Sequence, residues 1–172
     1  MLFRNNNSAH HDISYTLARC EDLVVLVLTG HRFMEDLLED YVAHTYESLK
    51  PRFIARHTFE QKMSLVLAHI DLPSWRDDDD SDYLIAADML GNIELLNKIR
   101  RDLSKVLLHR INQTSYTPHN TLTNINDQLI QCLHLCPNIS EIALKQHVLA
   151  HILCLHAYFA AFTESTFEEG SD

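Results

Sequence analysis

The chain is poor in residues that break helices. Its 172 residues include only 3 Gly and 4 Pro, well below average usage. So few breakers leave little room for hairpin turns and argue for long helices. Cysteine is also sparse in pattern: Cys20, Cys132, Cys136 and Cys154 form no C-x-x-C pair. Four free thiols in a reducing cytoplasm are the simplest expectation. No apolar run approaches the roughly 18 residues of a spanning helix, so no membrane association is expected. The run at 23–28 is short and follows Glu21 and Asp22, unlike a secretory signal. Basic residues are scarce, with 14 Lys and Arg against 24 Asp and Glu and a formal net charge of −10. Such a protein repels a phosphate backbone at long range, which leaves RNA binding weak at best. The sequence also shows no phosphate loop, no catalytic-triad spacing, no cofactor motif and no base-reading helix-turn-helix, which argues against direct DNA binding.

What is present is helical periodicity in a chain long enough for one domain over 1–172 with a single sizeable core. Residues 1–12 are polar without a period and read as a loose start. Residues 14–47 form one helical pattern. Leu23, Val27, Gly30, Met34, Leu37, Leu38, Tyr41 and Thr45 share a face at 3.6-residue spacing, where Gly30 lets a second helix approach closely. Lys50-Pro51 ends it. Thr58 and Gln61 form a capping box for a helix to about 69. Residues 73–82, with Trp75 and the run Asp77–Asp80, read as a solvated acidic loop. The alternating ligands and glycine of a calcium loop are missing. A third helix is expected over 82–111, a loop over 112–120 and a fourth helix over 121–135. A fifth, capped by Asn138 or Ser140, is expected over 140–167, and 168–172 form a frayed tail. The predicted fold is all-α, an up-and-down bundle of four to five helices.

The helix around 95–109 carries the densest basic cluster. On a helical wheel Leu95, Leu96, Ile99, Leu103, Val106 and Leu107 fill an arc of about 120°. Lys98, Arg101, Lys105 and His109 form a separate stripe beside Glu94 and Asp102, as a solvated face would. Arg100 lies about 20° from Leu107 and about 40° from Leu96, at the edge of the core arc. A guanidinium there needs an anion or must reach out to water. His31 and Glu35, four apart on the first helix, are the candidate partners. The pairing reads equally as a polar pocket or as a structural ion pair.

The string Leu95-Leu96-Asn97-Lys98-Ile99-Arg100-Arg101-Asp102-Leu103-Ser104-Lys105 resembles the LNxIRNxLAH signature of the HEPN-like helical superfamily. Gly30-His31-Arg32-Phe33-Met34-Glu35-Asp36-Leu37-Leu38 resembles its GHxxxExxL first helix, and Phe59-Glu60-Gln61-Lys62-Met63-Ser64-Leu65 its FxxKLxL second helix. The three occur in family order and cover about residues 20–110. Within the superfamily the chain looks most like the mannitol-operon-repressor (MltR)-like branch. The resemblance implies a helical bundle that often dimerises. Its catalytic members cut RNA without a metal, using an Arg followed four to six residues later by a His. Arg100 matches the Arg, with His31, Glu35, Asn97, Arg101 and Asp102 as its polar surroundings. Arg101 replaces the usual Asn and Lys105 replaces the usual His. A lysine, titrating ordinarily near 10.4, is a poor base at neutral pH. The resemblance therefore implies a non-catalytic homodimer acting through protein partners, as in transcriptional regulation. The alternative is a metal-independent ribonuclease of toxin or defence type, centred on Arg100 and Lys105.

A third reading rests on the C-terminal half. His147, His151 and Cys154 share a helix, and Cys132, His134 and Cys136 end the preceding one. Two antiparallel helices would bring such ligands toward a tetrahedral site. The spacing is loose and fits ordinary helix packing equally well, so no metal is assigned.

Overall fold

The structure, a computed structural model, describes residues 6–70, 89–104, 126–127, 129–131 and 133–168. Those residues form an all-α helical bundle, with no strand among them. The helices are α1 (Asn6–Ala18), α2 (Leu23–Thr45), the short α3 (Pro51–Ile54) and α4 (Phe59–Ile70). The helix over 89–104 is α5. Residues 126, 127 and 129–131 are also helical, and α6 spans Glu141–Glu168. No described helix is long and apolar enough to cross a membrane. The expected loops at 73–82 and 112–120 and the tail beyond 168 lie outside the described residues.

Local chemistry sets the helix ends. The single helix expected over 14–47 is in fact two. The Leu17 carbonyl accepts from the Cys20 amide at 3.1 Å and closes α1. The Asp22 carboxylate then takes the Val25 amide at 2.8 Å and starts α2, satisfying an amide that has no intrahelical partner. The expected loose start is also corrected, because 6–12 belong to α1. At α4 the capping box forms in both directions. The Thr58 amide donates to Gln61 Oε1 at 2.8 Å and the Gln61 amide to Thr58 Oγ1 at 3.3 Å. Pro51 opens α3 at its first turn, where a missing amide costs nothing. Of the two candidates for α6, Ser140 is the cap, accepting the Ala143 amide at 3.2 Å.

The helical segment before α6 stops earlier than expected. His134 takes a left-handed conformation, φ 51°. Its amide donates to the Gln131 carbonyl at 3.1 Å, and the Leu135 amide reaches back to the Ile130 carbonyl at 2.9 Å. This pair of bonds is the left-handed C-terminal cap that glycine usually provides.

The chain's contacts divide it into two compact units, one of 1–31 with 96–154 and one of 32–95 with 155–172. In the first unit Leu17, Cys20, Leu23, Leu26 and Val27 are buried, as are Leu96, Ile99, Leu103, Leu129, Leu144, Val148 and Ile152. Gly30 fulfils its expected role there. A Cβ on it would lie 2.6 Å from Ile152 Cδ1 and 2.8 Å from Cγ2, so any larger residue would force Ile152 to shift at this approach of α2 and α6. In the second unit the core holds Met34, Leu38, Tyr41, Val42, Ile54, Phe59, Met63, Val66, Ile70, Met89, Leu90, Ile93, Leu155 and Phe159.

Candidate functional site

The first unit buries a polar pair among these apolar residues. His31 follows Gly30 on α2 and is 3% exposed, and Asn97 on α5 is 1% exposed. His31 Nε2 lies 2.9 Å from Asn97 Oδ1. With the amide oxygen accepting, Nε2 carries the proton. Such a buried bond contributes about 0.5–1.5 kcal/mol net, but breaking it on one side costs about 1–3 kcal/mol because the other group is stranded. The pair joins two of the three segments that carry the motif resemblance, His31 from one and Asn97 from the other.

The rest of the expected cluster is distributed. Arg100 is half-buried at the edge of the core face, one turn beyond Leu96. Its carbonyl accepts Ser104 Oγ at 2.9 Å, and its guanidinium makes no ion pair among the described residues. Arg101 is exposed and Asp102 half-buried. Lys105 and His109 lie outside the described residues. The carboxylate of Glu35 is held by Lys62, with Nζ 3.3 Å from Oε1.

Lys62 is the group that the sequence reading missed. It belongs to the second unit, where it is 2% exposed and also lies 2.8 Å from Glu39 Oε2. Burying an ammonium is costly unless it is paired, and two carboxylates one helical turn apart provide the pairing. The signal was present: Lys62 stands on the apolar stripe of Phe59, Met63 and Val66, facing a Glu35-x3-Glu39 pair. Asp36 and Asp40 extend this acidic side of α2. Burial pushes both carboxyls above their ordinary value, against Arg32 in the case of Asp36 and with the help of Asp36 and Glu39 in the case of Asp40.

A second polar group of this unit is Tyr41 with His69. Tyr41 is fully buried, packed on Phe159 and stacked on Phe162. Its hydroxyl lies 2.7 Å from His69 Nδ1. Burial lowers the His69 titration, which favours the neutral ring accepting the tyrosine proton.

Of the His/Cys cluster of the C-terminal half, Cys132 lies outside the described residues. Among the described residues no group of three or more His, Cys, Asp or Glu is placed to hold a metal ion. Cys136 and Cys154 are exposed free thiols, and His134 closes its helix through its backbone. Fold and polar groups together define an all-α helical protein with inward-facing polar pairs. No known protein family, curated protein or solved structure matches the chain.

Proposed function

We propose that this chain is a non-catalytic helical interaction module of the HEPN-like, MltR-like kind, a homodimer that regulates through protein partners. The observation that carries this reading is the buried His31–Asn97 bond. Two of the three motif segments bond their imidazole and amide to each other inside the protein, where a substrate phosphate has no access. The position where a catalytic imidazole would follow Arg100 is Lys105. A net charge of −10 further disfavours holding a long polyanion.

The ribonuclease reading has one observation in its favour, the half-buried guanidinium of Arg100 without an ion pair among the described residues. A fixed cation is what a developing phosphorane charge requires. Incubating the purified protein with total RNA in EDTA separates the two. We expect no cleavage above that of Arg100→Ala. Cleavage that disappears in Arg100→Ala would sink the non-catalytic reading. Light scattering should give twice the chain mass of 19.9 kDa, and a monomer would remove the homodimer.

A further inference from the structure

We infer that the outward face of α6 is a seam that pairs antiparallel with the same face of a second copy of this chain. This rests on the homodimer reading above and specifies which surface makes it. The first observation is the composition of the helix. Leu144, Val148, Ile152, Leu155 and Phe159 supply the buried side of α6. An ordinary surface helix carries charge on the opposite side. Here residues 146–163 contain no Asp, Glu, Lys or Arg. The exposed side presents His147, Ala150, Cys154, Ala157 and Ala161, flanked by Tyr158 at 64% exposure.

The second observation is the register. Ala150, Cys154, Ala157 and Ala161 follow the alternating four- and three-residue steps of a coiled-coil seam. The pattern is self-complementary when reversed about a point between Leu155 and His156. Ala150 then meets Ala161 of the other copy, and Cys154 meets Ala157. The next layer places His147 opposite Glu164. Within the chain, neither His147 nor Glu164 has an ion-pair partner among the described residues. An imidazole N–H donating to a carboxylate at each end of an otherwise uncharged seam supplies charge complementarity. A parallel pairing instead sets like against like, histidine on histidine and glutamate on glutamate. Alanine layers also let two helices approach at the short end of the usual roughly 8–10 Å spacing.

The test uses the full chain with Cys132, Cys136 and Cys154 replaced by serine. The double variant Ala150→Cys with Ala161→Cys is oxidised and run without reductant. The two positions are eleven residues apart on one helix, about 16 Å, too far for a bond within one chain, which needs Cα atoms roughly 4.4–6.8 Å apart. The seam brings them together only across copies. We expect a covalent dimer from the double variant and none from either single variant. In a separate experiment Ala157→Arg, an exposed position that leaves the helix intact by circular dichroism, should convert the dimer to a monomer. Equal cross-linking by the single variants, or a dimer insensitive to Ala157→Arg, overturns the seam while leaving self-association in place. A monomeric wild-type chain overturns both.

Discussion

Two glycines of this chain make opposite demands on a methyl group. At Gly30 an added Cβ meets Ile152 Cδ1 at 2.6 Å and Cγ2 at 2.8 Å. Cδ1 is a flexible end and can swing aside. Cγ2 is bonded to the branched carbon and moves only if the whole side chain turns. Alanine gains about 1 kcal/mol of helix propensity over glycine, whereas forcing an extra methyl into a packed contact costs about 1–3 kcal/mol. We expect the contact to win, with Gly30→Ala less stable by about 1 kcal/mol in urea denaturation. If so, Gly30→Ala and Ile152→Ala should lose less together than the sum of their separate losses, since the second removes the obstacle to the first. A Cβ at Gly91, on α5, would meet nothing within 4 Å among the described residues. There propensity acts alone, and Gly91→Ala should stabilise by about 0.5–1 kcal/mol. A destabilised Gly91→Ala would mean that propensity does not govern that helix.

Helix ends show which parts of the sequence were legible. Thr58 with Gln61 and Ser140 ahead of α6 could be read directly, because each cap is a local pattern of residue types. The break at 19–22 was missed because the apolar stripe of α2 starts immediately and hides the cap at Asp22. The first turns of α1 were missed because its first residues are polar and lack a period, so nothing local distinguishes a helix from a loop there. The depth of Asn97 and Lys62 was missed for the converse reason. Each polar residue lies on an apolar stripe, whose neighbours dominate a periodicity argument, and each finds its partner on another helix. His31 and Arg100 were visible from their places at the edges of apolar faces, whereas Lys62 as the cation beside Glu35 was not. His134 is the clearest element-scale case. A β-carbon in the left-handed region costs about 1–2 kcal/mol, yet the two backbone bonds that close the helix require that conformation. His134→Gly keeps the cap and removes the strain. We expect a gain of about 1 kcal/mol in thermal or urea denaturation, and a loss would show that the imidazole makes a contact worth more than the strain.

Over the whole molecule, 24 acidic residues meet 14 basic ones, so acid acts on stability through groups that titrate in opposite senses. His69 is held below its ordinary 6.5 by burial, so the unfolded chain binds its proton more readily than the folded one. Its contribution is complete above that value and is lost as pH falls through the lower folded one. Protonation at Nδ1 also removes the acceptor for the Tyr41 hydroxyl. Asp36 and Asp40 act the other way. Their folded values lie above the ordinary 3.8, chiefly through burial, so the folded chain takes up their protons first. Their contribution is complete below 3.8 and is lost as pH rises through the folded values. Stability should therefore fall as pH drops below about 6.5, with the two aspartates opposing further loss in the carboxylate range. Denaturant midpoints across this range should show a shallower fall in His69→Gln, because the substituted side chain no longer titrates. Asp40→Asn should be more stable than the parent at pH 7 by a few tenths of a kcal/mol, small because the carboxyl is partly solvated. That advantage should shrink as pH falls and the parent aspartate becomes neutral. An advantage constant with pH would mean that the substitution acts through packing and that the acidic side of α2 carries no electrostatic strain.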